Sequence, residues 1–303
     1  MLYTVYFSAF EIHFYTERSV SQMRKFCLLI IGIFFIAAGS PKMDGEVLVF
    51  DTDHIRADVP IIMYHLVTTD RRYVGKYGIT PEQLQEDLDY LKDNGYTTIV
   101  MQDLIDFVNS GKFLPEKPIM LTFDDGNASD YKYVFSVLKE YDMRAVLAII
   151  GKVTDKYTLL GKSTNYTIRF PNMTWDEVRE MHDSGYIEIQ NHSYDLHGSI
   201  GSGIKNGEDP ETYRSRLATD LQLLQDRCRE ELGSVPTAFV YPLGLISSGS
   251  KEVLKEMGFA GSFSCEEGYA VVKYQKPDTL FNLKRINRTS RRSVEKILQD
   301  LEL

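Results

Sequence analysis

From about residue 60 onward, short apolar segments alternate with longer amphipathic segments, and this alternation limits the folds open to the chain more than any other feature. The apolar segments span four to six residues, the length of strands that are buried on both faces. Hydrophobic residues in the intervening segments recur at helical spacing. The alternation therefore predicts a parallel sheet that is covered on its outside by helices. The predicted strands are residues 60–65, 97–100, 119–123, 145–150, 186–190, 238–241, 261–264 and 283–286, and the predicted helices are residues 80–94, 103–109, 129–141, 174–183, 210–231, 250–257 and 292–301.

The number of strand–helix units, seven or eight, bears on the choice between two parallel folds. A closed or nearly closed βα barrel holds such a number in one domain, whereas an open doubly wound sheet commonly carries a nucleotide-binding signature. The sequence contains neither a glycine-rich dinucleotide fingerprint nor a phosphate-binding loop. We therefore expect an α/β fold, a TIM-like barrel in a single domain, with its functional residues at the carboxyl ends of the strands.

The N-terminal region has the pattern of an export signal. Two basic residues precede an uninterrupted apolar run of 13 residues, 26–38, which is shorter than the about 20 residues of a transmembrane helix. The leader predicts a secreted protein or, if it is not cleaved, a protein anchored on the outer face of the cytoplasmic membrane. The predicted divisions are a leader over residues 1–39, with Met23 as an alternative start, a linker over residues 40–57 and a domain over residues 58–303.

Composition narrows the class of partner. Lysine and arginine number 34 against 43 aspartate and glutamate residues, which gives a net charge of −9. Nucleic-acid binding depends on clustered cations, so this excess of acidic residues argues against a nucleic-acid partner.

Beyond the leader, Cys228 and Cys265 fit either a disulfide in an exported protein or two unpaired thiols. We expect a monomer.

Two adjacent carboxylates, Asp124 and Asp125, follow the predicted strand 119–123 directly. Adjacent side chains of a regular strand point to opposite faces, so both can enter one site only if the backbone turns there. Gly126 permits such a turn. This geometry suggests that one carboxylate binds a cation while the other faces a substrate; the alternative is a solvated turn with no function.

Two histidines, His192 and His197, follow the predicted strand 186–190 at a spacing of five residues. Neither a helix nor a strand brings residues at this spacing to one face, so a loop is required. Two neutral imidazoles and one carboxylate form a metal site that keeps positions open for water and substrate. The same ligand set also occurs in non-haem iron oxygenases, which leaves two classes of metalloenzyme to separate.

Three motifs taken together resemble the polysaccharide deacetylases with a NodB-homology domain, carbohydrate esterase family 4. They are TFDDG at residues 122–126, NHSYDLH at 191–197 and FVYPLG at 239–244, and the similarity extends over about residues 58–300. The resemblance implies a distorted (β/α)₇ barrel, one divalent metal ion and hydrolysis of N-acetyl groups on N-acetylglucosamine polymers.

The motifs also imply roles for individual residues. By this resemblance Asp124 is the general base, and the metal ligands are Asp125, His192 and His197. The ion is expected to be Zn²⁺, although Co²⁺, Ni²⁺ and Fe²⁺ accept the same ligands. In the third motif the substrate-binding residues are expected to be Tyr241, Pro242 and Leu243, the last through its backbone N–H.

Two departures from the family pattern point to one branch of it. The late strand 283–286 carries no histidine to serve as general acid, and the stretch 236–239 just upstream of Pro242 lacks the arginine that the family usually has there. The five-residue histidine spacing and the early sequence Met63-Tyr64-His65 instead resemble the branch that deacetylates poly-β-1,6-N-acetylglucosamine, in which the early histidine is the acid. His65 is therefore the expected acid, and Arg285 is expected to take the place of the missing arginine beside Asp124.

The resemblance leaves the substrate and two other classes of function open. Peptidoglycan and chitin-type oligosaccharides are alternatives to poly-β-1,6-N-acetylglucosamine. A barrel that binds carbohydrate without hydrolysing it is a second alternative, and the intact set of predicted catalytic and metal-binding residues argues against it. The additional carboxylate, Asp124, and the βα repeats argue against an iron oxygenase.

Overall fold

The structure is a computed structural model that describes residues 55–161 and 171–301. These residues belong to one compact unit, Asp51–Leu303. The predicted leader and most of the predicted linker lie outside the described residues, and the first described strand begins two residues before the predicted domain start. Among the described helices, none is both long and apolar enough to cross a bilayer.

The described strands are short, and five of the twelve are buried along their whole length. They are β1 (Arg56–Val59), β2 (Ile61–Tyr64), β3 (Leu66–Val67), β4 (Gly78–Ile79), β5 (Thr97–Ile99), β6 (Pro118–Phe123), β7 (Ala145–Ile149), β8 (Ile187–Asn191), β9 (Ala238–Val240), β10 (Gly261–Phe263), β11 (Ala270–Lys273) and β12 (Ile286–Asn287).

The helices follow the strands as the alternation predicts. Two of them begin with capping boxes, in which Thr80 and Thr174 accept a hydrogen bond from the backbone N–H three residues later. The α-helices are α1 (Pro81–Asp93), α2 (Met101–Ser110), α3 (Phe135–Tyr141), α4 (Gly151–Leu160), α5 (Trp175–Asp183), α6 (Pro210–Leu232), α7 (Ser250–Glu256) and α8 (Val294–Leu301). Short 3₁₀ turns span Arg71–Tyr73, Pro242–Gly244 and Pro277–Leu280, and a π-helical turn spans Asp130–Val134.

Seven parallel strands form the barrel, in the order β10-β9-β8-β7-β6-β2-β12, and β5 pairs with the beginning of β6. Leu283, just before β12, closes the ring against β10 through a parallel bridge to Phe263. The N–H of Leu283 donates to the carbonyl of Ser262 (2.8 Å), and the N–H of Ser264 donates to the carbonyl of Leu283 (2.9 Å). This narrow closure confirms the predicted distorted (β/α)₇ barrel.

Three features were not predicted. Helix α4 begins with a glycine and has no side-chain cap, so its sequence lacks a start signal. Strands β1 and β11 pair as an antiparallel ribbon, and the last barrel strand is two residues long where four were expected. The two thiols left open by the sequence, Cys228 and Cys265, are both free.

The barrel interior is apolar at one end and polar at the other. Alternate strand residues such as Ile61, Met120 and Val146 form an interior cluster together with residues of α2 and of the β1–β11 ribbon. Because β1 leads directly into β2, this cluster fills the amino-terminal end of the barrel. The carboxyl-terminal end is left to polar side chains.

A buried ion pair attaches the last barrel strand to α1. Arg288, just after β12, donates through Nε and Nη2 to the two carboxylate oxygens of Asp87 (2.7 and 3.0 Å). The Tyr64 hydroxyl and the Val294 N–H donate to the same carboxylate (3.1 and 3.0 Å). Both charged side chains are almost completely buried, so each depends on the other for compensation.

We expect Asp87→Ala to lower the free energy of unfolding by about 3–5 kcal/mol, because it leaves the Arg288 guanidinium buried without a counter-charge. Urea denaturation followed by circular dichroism measures the change. Asp93→Ala at the exposed end of the same helix is the matched control and should change the free energy by less than about 1 kcal/mol. Equal losses from the two variants would contradict the structural role of the pair.

Candidate functional site

A cavity of about 900 Å³ opens at the carboxyl-terminal end of the barrel. This is the end at which βα barrels hold their functional residues. Six of the nine residues predicted from the sequence line it, namely His65, Asp124, Asp125, His192, His197 and Leu243.

Asp124 and Asp125 reach the same cavity because the backbone changes from the extended conformation of β6 to the left-handed conformation at Asp125. Asp124 continues the ladder, since its N–H donates to the carbonyl of Tyr64 (3.0 Å). Asp125 and Gly126 then adopt the left-handed conformation, with φ of 77° and 69°. The side-chain amide of Asn172 donates to the carbonyl of Asp125 (2.7 Å) and fixes this turn. The sequence predicted the turn at the glycine, but the strained residue is Asp125 itself.

Asp125, His192 and His197 form a group that could hold a metal ion, with their ligand atoms within 4.8 Å of one another. The Asp125 Oδ1 atom lies 3.1 Å from His197 Nε2 and 3.5 Å from His192 Nε2. His192 Nδ1 lies 2.8 Å from the carbonyl oxygen of Val240, which can only accept, so Nδ1 carries the proton and Nε2 offers a lone pair. Asp125 Oδ1 is buried against the Nε2 atoms of both imidazoles, and three ligand atoms gathered in this way are as expected of a cation site.

Arg285 pairs with Asp124 through two parallel hydrogen bonds, Nη1 to Oδ1 (2.8 Å) and Nη2 to Oδ2 (2.9 Å). Arg285 is completely buried, and it also donates to the carbonyl of Ser264 (2.9 Å). Burial, the largest effect, raises the pKa of Asp124, but the Arg285 guanidinium and the neighbouring imidazoles together outweigh it and leave the pKa below its ordinary value. Arg285 does not line the cavity, so it acts on the carboxylate and makes no contact with a ligand.

His65 also lies near the Asp124 carboxylate, with Nε2 at 4.0 Å from Oδ2. Burial lowers the pKa of His65, although the nearby Asp124 and Asp125 oppose the shift. The Nδ1 atom is buried without a partner among the described residues. The structure therefore places an imidazole with a lowered pKa, a carboxylate with a lowered pKa and the candidate metal ligands in one cavity.

The structure places two of the predicted substrate-binding residues outside the cavity lining. Tyr241 and Pro242 are buried and do not line the cavity, and the Tyr241 hydroxyl forms a 2.8 Å hydrogen bond with Ser250. Strand β9 ends at Val240, and the 3₁₀ turn that follows directs the tyrosine into the core between sheet and helices. Leu243 in that turn is half exposed, has φ of 58° and does line the cavity.

Sequence reasoning missed the carboxylate that holds the histidine loop. Asp220 of α6 is 8% exposed, and its two oxygens accept from the N–H groups of Tyr194 and Asp195, both at 2.8 Å. These two residues lie between the histidines, so Asp220 fixes the loop that brings His192 and His197 together. The sequence did contain a signal for this contact. Asp220 falls on the apolar face of its helix, where a buried charged side chain needs a hydrogen-bonding partner.

We expect Asp220→Asn to weaken the affinity of the site for a divalent ion by about 10–100-fold, because an amide can accept from only one of the two N–H groups. Competition with a chromophoric chelator measures the affinity. Asp226→Asn, on the exposed face of the same helix, should leave it unchanged. Unchanged affinity in Asp220→Asn would show that the loop holds its shape without this carboxylate.

Comparison with known proteins assigns the domain. Residues 112–262, about half of the chain, match the family model described as polysaccharide deacetylase. The poly-β-1,6-N-acetyl-D-glucosamine N-deacetylase of Escherichia coli (strain K12) is 26% identical over 278 residues, which cover 81% of this chain and 41% of that protein. The Staphylococcus aureus (strain MW2) protein of the same name is 22% identical and is covered over 87% of its length. The chain thus spans about two fifths of the Escherichia coli relatives it matches.

Solved structures agree in fold. A de-N-acetylase from Aggregatibacter actinomycetemcomitans superposes with a TM-score of 0.68 and 25% identity, covering 81% of this chain and all of that one. IcaB from Ammonifex degensii gives a TM-score of 0.64 at 24% identity over 80% of this chain and 95% of that one. With the three motif turns gathered at one cavity, these matches confirm the resemblance seen in the sequence. The chain belongs to the polysaccharide deacetylase family.

Proposed function

We propose that the protein is a metal-dependent hydrolase that removes N-acetyl groups from an N-acetylglucosamine polysaccharide, namely poly-β-1,6-N-acetylglucosamine. The observation that carries this proposal is the position of the Arg285-bound Asp124 carboxylate beside the Asp125, His192 and His197 group in one cavity. An iron oxygenase has no use for a second, arginine-bound carboxylate at this place. A barrel that only binds carbohydrate would not need the buried Arg285–Asp124 ion pair, whose charges are costly to keep in the interior.

The metal site fits a divalent ion, and we assign Zn²⁺. Asp125, His192 and His197 supply one oxygen and two nitrogen ligands and leave positions open. A bound ion of this kind polarises an acetamide carbonyl and lowers the pKa of a coordinated water toward about 7.

Asp124 is the proposed general base. Its pKa is below the ordinary value, so it is ionised near neutral pH and can accept a proton from the attacking water. Both of its oxygens are held by Arg285, which fixes the direction in which the carboxylate faces the cavity. Arg285 is therefore a positioning residue.

His65 is the proposed general acid, which protonates the departing amine. Its Nε2 atom lies 4.0 Å from Asp124 Oδ2, so base and acid stand side by side along the cavity. The imidazole is neutral in the buried site and must take up a proton before it donates one. The backbone N–H of Leu243, in the left-handed turn at the cavity surface, is the proposed donor to the oxyanion.

The choice of polymer follows the relatives, several of which are named poly-β-1,6-N-acetyl-D-glucosamine N-deacetylases. Mass spectrometry of poly-β-1,6-N-acetylglucosamine, peptidoglycan and chitin oligosaccharides, each incubated with the protein and a panel of Zn²⁺, Co²⁺, Ni²⁺ and Fe²⁺, tests substrate and metal together. Loss of acetyl groups from peptidoglycan or chitin alone would overturn the choice of polymer.

The apolar run 26–38 further suggests that the monomeric domain works outside the cytoplasmic membrane, free or anchored.

We expect Asp124→Asn to lower the rate of acetate release by about 10²–10⁴-fold while bound metal, measured by mass spectrometry, stays at the wild-type level. The amide removes the base and leaves the three metal ligands in place. Asp125→Asn is the comparison, because it should lose metal as well as activity. Full activity in Asp124→Asn would show that another group is the base.

We expect His65→Ala to lower turnover by about 10²–10⁴-fold without loss of metal, since its imidazole is not among the three ligands. Metal content and acetate release are measured on the same preparation. His182→Ala, in the last turn of α5, is the histidine control and should keep wild-type turnover. Loss of metal in His65→Ala would identify it as a ligand instead of an acid.

A further inference from the structure

One wall of the cavity is built by the segment that follows β2, residues 66–79, and the proposed mechanism uses none of its side chains. The segment contains β3, the turn Arg71–Tyr73 and β4, and it supplies Tyr73, Lys76 and Tyr77 to the cavity lining. Tyr77 is 49% exposed, which makes it one of the large apolar side chains that the fold leaves at the surface, here at the cavity.

The Tyr77 ring flanks the proposed acid. Its centroid lies 4.9 Å from that of the His65 imidazole, with the two planes at 58°. The exposed Lys76 side chain places its Nζ atom 4.8 Å from the same ring centroid, so that face of the ring is covered by a solvent-exposed side chain and not by the core. A ligand that stacks on this face takes the place of the Lys76 ammonium group, and the 49% exposure of Tyr77 leaves the ring within its reach. An aromatic ring next to the acid is therefore next to the sugar whose nitrogen that acid protonates.

The backbone around Tyr77 is held firmly. The N–H of Leu66 donates to the carbonyl of Tyr77 (3.0 Å), and the Asn287 side-chain amide donates to the carbonyl of Lys76 (2.9 Å). Gly78 admits no side chain, because a Cβ atom there would lie 2.1 Å from the carbonyl oxygen of Tyr73. A ring on so fixed a backbone loses little conformational freedom when a ligand packs on it.

We infer that Tyr77 is a sugar-binding residue whose ring stacks on the pyranose that carries the reacting acetamido group. The C–H groups on one face of a pyranose are attracted to the negative face of an aromatic ring, while Asn127, Asn172 and Thr289 on the cavity walls can bond the hydroxyl groups. This inference rests on the proposed function, since it takes an amino-sugar polymer as the ligand. It assigns to Tyr77 the positioning of the sugar against His65 and Asp124.

The test compares Tyr77→Ala, Tyr77→Phe and Tyr77→Trp in acetate release from poly-β-1,6-N-acetylglucosamine oligosaccharides. We expect KM to rise about ten-fold in Tyr77→Ala with a much smaller change in kcat, and both aromatic variants to keep KM within about two-fold of wild type. Tyr186→Ala is the control, because Tyr186 precedes β8 at the opposite end of the barrel and should leave KM unchanged. A wild-type KM in Tyr77→Ala, or an equal rise in Tyr77→Phe, would overturn the stacking role.

A binding measurement separates this inference from the proposed function. Calorimetry with the same oligosaccharide on the Asp124→Asn background should show about ten-fold weaker binding when Tyr77→Ala is added. If the wild-type protein releases no acetate with any metal, the proposed reaction fails, and the oligosaccharide affinities of the wild-type protein and of Tyr77→Ala still decide the role of Tyr77. Equal affinities would overturn the inference even in an active enzyme.

Discussion

The buried pair of Arg285 and Asp124 connects the closure of the barrel to its chemistry. Arg285 enters the barrel from the segment that closes it, and its N–H donates to the carbonyl of Glu266 next to β10 (3.0 Å). Its guanidinium then crosses to the end of β6, where it compensates a carboxylate that is only 2% exposed. Neither charge is stable alone in the interior, so the segment that closes the barrel is attached to the end of β6 by the carboxylate that we propose as the general base.

Backbone strain is concentrated at the same place. Of the six described non-glycine residues with positive φ, three lie in the three motif turns: Asp125, Ser193 and Leu243. Each follows the end of a different barrel strand, and each redirects the chain so that side chains which a straight strand would separate face one cavity. Such conformations are costly and persist only where the surroundings fix them, here through Asn172, Asp220 and the β9–α7 core.

Much of this arrangement could be predicted from residue patterns. The alternation of apolar and amphipathic segments predicted the barrel, and the strand ends identified the carboxylate pair and both histidines as cavity residues. Contacts across the barrel were harder to foresee. The pairing of Asp124 with Arg285 spans 161 positions and was expected only by comparison with the family pattern, because local periodicity carries no information on it. The Asp87–Arg288 pair spans 201 positions and was not predicted. Helix α4 and the β1–β11 ribbon were missed because their own sequences carry weak signals.

The sequence by itself determined the fold class, the end of the barrel that carries function and the residues able to bind a cation, because strand length, helical spacing and ligand chemistry are local properties. Only the tertiary structure decided how those residues are used. It buried Tyr241 and Pro242 in the core, left Tyr77 exposed beside His65, and brought Asp220 under the histidine loop. These outcomes depend on which distant segments pack together, and burial and charge compensation across such contacts exist only once the barrel has closed.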